Sequence, residues 1–125
     1  MPKAKDVMTT EVVTIDGNAT VADAVALMKE KGVRALIVDR RDESDAYAIV
    51  TQRDVAYEVL AQRKDPGSVQ VKDIFSKPLV VINPDLDVVY AARLMKNFGL
   101  SRAPVIFEGE LQGIVSVSDL VRKAM

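Results

Sequence analysis

Two short segments of this sequence carry the same pair of side chains suited to ligand binding: a hydroxyl, followed three residues later by an aspartate. Each hydroxyl comes at the end of an apolar run typical of a strand, and each aspartate falls where a helix is expected to begin. The pairs are Thr51 with Asp54 and Ser116 with Asp119.

The pattern has a structural and a functional interpretation. In the structural one it is a capping box, in which the hydroxyl accepts from a first-turn amide and the acid favours the helix dipole. In the functional one the carboxylate accepts hydrogen bonds from both hydroxyls of a ribose, and the Thr or Ser hydroxyl donates to a phosphate. A hydroxyl and a carboxylate at one helix start suit a nucleotide better than a bare phosphate. Both interpretations stay open at this point.

The composition excludes several classes of site. The 125 residues include no cysteine and no histidine, which removes thiol nucleophiles, imidazole bases and the usual zinc ligands. The phosphate-loop and dinucleotide-binding glycine motifs are both absent. Seventeen basic and eighteen acidic residues give a net charge of −1, which provides no general attraction for nucleic acid or an anionic membrane. We expect a cytoplasmic protein that is not an enzyme, holds no metal and binds neither nucleic acid nor a membrane.

The chain contains an internal duplication. Residues 5–32 align with residues 72–99 at an offset of 67 without a gap, and the alignment resumes, after one residue of slippage, with Arg34-Ala35 over Arg102-Ala103. Nearly the whole chain takes part, which is the mark of a repeated structural unit. We predict a first repeat at 1–64 and a second at 69–125, joined by the turn residues 65–68.

Each repeat has the local pattern of a β-α-β-β-α unit. The runs VVTI (12–15) and LVVI (79–82) are typical of strands, and a helix follows each, with Thr20 or Asp87 as its cap and a glycine at its end. The predicted fold class is therefore α/β (α+β), with two tandem repeats. A unit of about 60 residues is marginally stable alone. We expect the repeats to pack about a pseudo-twofold axis, with a cleft between them in which any ligand site occurs twice.

The doubled unit, with the stretches Gly99–Ile106 and Gly113–Asp119, resembles a CBS-domain pair, also called a Bateman module. The resemblance covers essentially the whole chain. It implies a non-catalytic regulatory module that requires no cofactor and binds an adenosine ligand: AMP, ADP, ATP or S-adenosylmethionine. It also implies a homodimer as the default assembly.

The resemblance assigns roles to particular residues. Asp54 and Asp119 match the family's ribose-binding aspartate, and Thr51 and Ser116 match the hydroxyl beside ribose and phosphate. The phosphate-facing candidates are Arg34, Arg53, Arg102 and Ser118. The adenine-pocket candidates are Val13, Ala35, Ile37 and Ile49 in the first repeat, and Val80, Ala103, Val105 and Ile114 in the second.

The two predicted sites are not equivalent. Ala48 stands where the second repeat has Gly113, and its methyl group is expected to narrow an adjacent pocket, so the second site matches the family more closely. Arg53 gives the first site an additional cation. We expect the two sites to bind unequally, with at most one of them tight.

Two functions are compatible with these features. The first is an adenine-nucleotide sensor, in which the ligand changes the packing of repeats or of a dimer and the signal passes to a separate effector protein. The alternative is a ligand-free dimerisation or assembly module. Apolar helix positions are candidates for the interface: Val55, Val59, Leu60, Leu120 and Val121.

Overall fold

The computed structural model describes residues 1–78 and 80–125 and separates into two compact units. The middle unit is Val13–Lys77, and the terminal unit combines Met1–Val12 with Pro78–Met125. These units are not the sequence repeats, because residues 1–12 pack with the body of the second repeat and residues 69–77 with the body of the first. The predicted repeat boundaries concern the sequence duplication and stay a prediction, whereas the units describe packing.

The middle unit contains a three-stranded sheet and two helical segments. Strand β1 (Thr14–Ile15) runs parallel to β2 (Ala35–Val38), which pairs antiparallel with β3 (Ala48–Thr51), so the order is β1-β2-β3. The helical segments are α2 (Val21–Lys31), between β1 and β2, and α3 (Gln52–Val55), which follows β3 and continues as a π-helix over Ala56–Leu60. A 3₁₀ turn over Val71–Asp73 follows.

The ends of α2 confirm the predicted caps. The Thr20 hydroxyl accepts a hydrogen bond from the Asp23 amide at 3.1 Å, and Gly32 ends the helix with a φ of 65°. That left-handed backbone favours glycine because it carries no Cβ. The fixed ends turn the apolar side of α2 onto the sheet, where Val21 and Ala24 are fully buried together with Leu36 and Val50.

The terminal unit is built around one hairpin. Strands β4 (Arg102–Phe107) and β5 (Glu110–Ser116) pair antiparallel through the turn residues Glu108 and Gly109, both with positive φ. Its helices are α1 (Ala4–Val7), α4 (Val88–Phe98) and α5 (Val117–Ala124). Among the described residues, no helix in either unit is long and apolar enough to cross a membrane.

The core of the terminal unit includes the start of the chain. Ala4 and Val7 of α1 are fully buried beside Ala91 and Val115. The Ala4 amide donates to the Leu86 carbonyl at 2.8 Å, which anchors α1 to the loop before α4. Burial of this apolar surface is what holds α1 in place, since an isolated four-residue helix is unstable in water.

The predicted first strand of each repeat is shorter than expected. Of residues 12–15 only Thr14–Ile15 form β1. In the second repeat Leu79 lies outside the described residues, and Ile82 forms a single parallel bridge with Val105. The ladder does not extend through Pro84, because proline has no amide hydrogen to donate.

The strand register overturns one step of the repeat alignment. Ala35 pairs with Thr51, and Arg102 occupies the corresponding position opposite Ser116. The offset of 67 therefore continues without slippage, so Ala35 corresponds to Arg102 and Arg34 to Ser101. The backbone agrees: the carbonyl of Arg34 accepts from Gln52 at 3.0 Å, and that of Ser101 from Val117 at 2.9 Å.

Candidate functional site

The Thr51–Asp54 pair lies in the middle unit, where β3 passes directly into α3. One carboxylate oxygen of Asp54, Oδ2, accepts from the Thr51 amide at 2.8 Å and from the Thr51 hydroxyl at 3.0 Å. The Asp54 amide donates back to that hydroxyl at 3.2 Å. These bonds fix the carboxylate, while its second oxygen, Oδ1, accepts no hydrogen bond from the described part of the chain.

The capping interpretation is confirmed at both predicted sites, and the same box occurs elsewhere. At the start of α2 the Asp23 carboxylate accepts from the Thr20 amide at 3.3 Å, and the Asp73 carboxylate accepts from the Gln70 amide at 3.1 Å. A capping box by itself therefore does not identify a binding site in this chain. What distinguishes the candidate sites is whether the carboxylate keeps an acceptor available for a ligand.

The Ser116–Asp119 pair of the terminal unit differs on this point. Asp119 is only 9% exposed, and its Oδ2 accepts from the Ser116 amide at 3.1 Å. Its Oδ1 lies 3.4 Å from the ammonium of Lys123, and the Thr9 hydroxyl makes long contacts of 3.5 Å with both carboxylate oxygens. Neither oxygen of Asp119 is left without a neighbour.

The charge beside each aspartate explains the contrast. Lys123 follows Asp119 by four residues on α5, which places the two side chains on one helix face. In the middle unit the residue four positions after Asp54 is Glu58, an acid that cannot pair with it. Asp119 thus forms an ion pair within its own unit, whereas no lysine or arginine of residues 1–78 and 80–125 forms one with Asp54.

The four phosphate-facing candidates occupy different kinds of position. Arg34 is exposed and precedes β2, whereas Arg102 is half-buried within β4. Arg53 is exposed one residue before Asp54, with its guanidinium 5.9 Å from the centre of the Tyr57 ring. Ser118, its counterpart, is exposed and uncharged. Only Arg53 places a cation directly beside its aspartate in sequence.

The apolar candidates of the middle unit lie next to this pair. Ile37 and Ile49 face each other across β2 and β3 and are both buried. They stand outside the core cluster that contains Leu36 and Val50. Val13 and Ala35 are half-buried. Because side chains alternate along a strand, Ala35 and Ile37 share one face of β2.

The apolar candidates of the terminal unit divide differently. Ala103 and Val105 are fully buried in the core cluster of that unit, which gives them a packing role. Val80 and Ile114 are half-buried. Contact of any of these four residues with an adenine stays a prediction.

The structure gives the difference between Gly113 and Ala48 a packing explanation, and a narrowing of an adjacent pocket by Ala48 stays a prediction. A Cβ built on Gly113 would stand 2.6 Å from the Thr9 carbonyl oxygen and 3.0 Å from the Met8 sulfur. Glycine is required at position 113 because the first residues of the chain cross β5 there. Ala48, in contrast, is buried in the core cluster of the middle unit.

Sequence reasoning missed Thr9 and Lys123, the two side chains that contact Asp119. Two signals were present: Thr9 aligns with Ser76 at the repeat offset, and Lys123 has the four-residue spacing of a helical ion pair. The backbone supports the first, since Thr9 pairs with Ile114 as Ser76 pairs with Ile49. No group of three potential metal ligands is present among residues 1–78 and 80–125.

Comparison with known proteins matches both repeats to one family. The CBS domain matches residues 4–61 and residues 71–125. YhcV, a CBS domain-containing protein of Bacillus subtilis, is 34% identical over 125 residues, which span all of this chain and 87% of YhcV. The chain spans between 52% and 61% of the length of three further curated relatives.

Longer proteins contain similar regions. A hexameric CBS-CP12 protein from bloom-forming cyanobacteria has 52% identity and a TM-score of 0.93, covering 99% of this chain and 72% of that structure. The inosine-5'-monophosphate dehydrogenase of Korarchaeum cryptofilum is 31% identical over 94% of this chain, which spans 23% of that enzyme. The family matches both repeats, and the similarity to YhcV extends over nearly the full length of both proteins. This chain therefore belongs to the CBS domain family and carries a pair of CBS domains.

Proposed function

We propose that this chain is a regulatory module that binds an adenine nucleotide, with Asp54 of the middle unit as its principal ribose-binding residue. The observation that carries the proposal is the unoccupied Oδ1 of a carboxylate whose Oδ2 is fixed by Thr51. A carboxylate oriented in this way can accept a hydrogen bond from a ribose hydroxyl without first breaking a protein contact, so little is lost on binding.

The neighbours of Asp54 fit the remaining parts of a nucleotide. Arg53 is exposed beside it and can pair with a phosphate through its planar guanidinium. Ala35, which is half-buried opposite Thr51, and the half-buried Val13 provide apolar surface beside the pair. In the terminal unit the ribose would compete with Lys123 for Asp119, so we propose that this second site is the weaker one.

The proposed role is regulatory and includes no catalytic step. A ligand shifts a conformational equilibrium only by the difference in its affinity for the two states. Because similar CBS regions form part of longer proteins, such as the dehydrogenase of Korarchaeum cryptofilum, we propose that the signal passes to an effector domain or a separate effector protein.

Thermal unfolding with AMP, ATP and S-adenosylmethionine tests the proposal. At about 100 times its dissociation constant a ligand that binds only the folded chain adds about 2.7 kcal/mol of stability. We expect at least one of the three to raise the melting temperature by several degrees, with saturation. Adenine without ribose is the control and should have little effect. A melting temperature unchanged by all three ligands would refute nucleotide sensing.

Self-association is the second candidate function, and an apolar groove in the terminal unit favours it. The groove has a volume of about 500 Å³ and lies along α4 and α5. Two valines on α5, Val117 and Val121, are 47% and 55% exposed beside it. Exposed apolar patches of this kind are typical of protein interfaces. The similar cyanobacterial protein is hexameric, and we propose a second copy of this chain as the occupant.

Val121→Asp is expected to weaken that assembly, because a charge would be buried in an apolar contact. Sedimentation velocity at micromolar concentration should show a dimer or larger species for the original chain and a larger monomer fraction for the variant. Arg122→Asp, which changes the neighbouring exposed residue, is the control for charge alone. Equal sedimentation of the original chain and Val121→Asp would contradict this use of the groove.

A further inference from the structure

A second pocket lies at the other end of the middle unit's sheet. It has a volume of about 560 Å³ and is formed where the turn 16–18, the hairpin connection 39–45 and the segment 72–77 meet; we call it the hairpin pocket. Along β2 and β3 the paired residues run from Ala35–Thr51 to Val38–Ala48. At about 3.3 Å per residue the pocket begins roughly 10 Å from Thr51, so it is distinct from the proposed nucleotide site.

Backbone hydrogen bonds fix the walls of the hairpin pocket. The Lys72 amide donates to the Gly17 carbonyl at 2.9 Å, and the Asp39 amide donates to the Ile15 carbonyl at 3.0 Å. A Cβ on Gly17 would lie 3.6 Å from the Lys72 Cβ and 3.8 Å from the Phe75 ring. The three segments are therefore in close contact and form a preformed concavity of the size that small ligands occupy.

The cationic side of the pocket is organised by Asp45. Its carboxylate accepts from the Arg41 amide at 3.0 Å and contacts the Lys77 ammonium at 2.9 Å and the Arg41 Nε at 3.2 Å. The hydrogen bond from the Arg41 backbone amide, together with these two cations, holds the pKa of Asp45 well below its usual range. The Asp45 carboxylate therefore remains ionised near neutral pH. Two cations around one carboxylate leave an excess of positive charge.

Several donors of this side remain available. The terminal guanidinium nitrogens of Arg41 and the ammonium of Lys72 donate to no residue that the structure describes. Opposite charge is present as well, because the carboxylates of Asp16 and Asp39 also line the pocket. The pocket thus offers donors for an anion and acceptors for hydroxyl groups within one cavity.

We propose that the hairpin pocket binds a small phosphorylated polyol or sugar. Arg41 and Lys72 would hold the phosphate, since an arginine fork and a flexible ammonium are the usual phosphate-binding groups. Asp16 and Asp39 would accept hydrogen bonds from the hydroxyls, and their charge would disfavour a free phosphate that has no hydroxyls to donate. The ligand is recognised only when it carries both kinds of group.

Amide NMR of the ¹⁵N-labelled full chain tests this assignment, with glucose 6-phosphate as the probe. We expect saturable shifts at Gly17, Asn18 and Lys72 and none at Thr51 or Asp54. The double variant Arg41→Gln/Lys72→Met should weaken the binding at least tenfold. Both side chains are exposed, and retained dispersion of the other amide signals would show that the variant folds. Lys29→Met, an exposed lysine of α2 that does not line the pocket, is the matched control.

Glucose and inorganic phosphate at the same concentrations complete the experiment. The proposal is supported if glucose and inorganic phosphate each bind weakly. Asp39→Asn should then weaken the binding of glucose 6-phosphate and strengthen the binding of inorganic phosphate. Inorganic phosphate binding as tightly as the sugar phosphate would reduce the pocket to an anion site and overturn the assignment. Absence of saturable shifts would also overturn it. Asp54→Asn should leave these shifts unchanged, which separates this result from the nucleotide proposal.

Discussion

Gly113→Ala is expected to destabilise the terminal unit by about 1–3 kcal/mol or more, the usual cost of forcing extra atoms into a packed site. The added methyl would stand 2.6 Å from the Thr9 carbonyl oxygen. That oxygen accepts from the Ile114 amide at 3.0 Å, and the Thr9 amide donates to Ile114 at 2.8 Å. The obstructing oxygen belongs to the backbone of Thr9, whose amide and carbonyl are both bonded to Ile114, so it cannot move aside without losing these bonds.

Urea denaturation of the original chain and the variant measures the effect as a lower midpoint. Gly17→Ala is the matched control, because its Cβ would meet Val38, Lys72 and Phe75 at ordinary distances of 3.5–3.8 Å, and Gly17 has no positive φ. Its midpoint should stay the same or rise slightly as the unfolded chain loses freedom. Equal midpoints for Gly113→Ala and the original chain would mean that the first residues do not cross β5 so closely.

Asp54→Asn is expected to weaken AMP binding at least tenfold, equivalent to about 1.4 kcal/mol. The amide can still accept from Thr51, but the charge that strengthens a hydrogen bond from a ribose hydroxyl is gone. Titration calorimetry with AMP and 2′-deoxy-AMP isolates this interaction. The original chain should prefer AMP, and the preference should nearly disappear in Asp54→Asn. A preference of equal size in both proteins would remove ribose recognition from Asp54.

Two aspartates serve as controls for this experiment. Asp23→Asn alters the capping box of α2, which is of the same type as the box at Asp54, and should leave AMP affinity unchanged while testing the cost to stability. Asp119→Asn should change AMP affinity less than Asp54→Asn does, because Lys123 and Thr9 already contact Asp119. A larger loss at Asp119 would reverse the order of the two proposed sites.

Helix limits and capping boxes could be predicted from the sequence because they depend on residues close together in the chain, and the repeats could be predicted because their two copies align directly. Thr20 and Gly32 mark the ends of α2 in the sequence and in the structure. The Thr51–Asp54 and Ser116–Asp119 boxes each join two residues three positions apart and form as local geometry dictates. The candidate carboxylates were identified for the same reason.

Tertiary structure alone decided which carboxylate stays available and where the chain divides into units. Thr9 meets Asp119 across 110 positions of sequence, and the first twelve residues join the body of the second repeat. The registers of β2 and β4 likewise depend on pairing between strands, and they show that Arg34 and Arg102 are not equivalent positions of the two repeats. Contacts of this kind form where distant segments cover the apolar core of a unit, and no local spacing specifies which segment that will be.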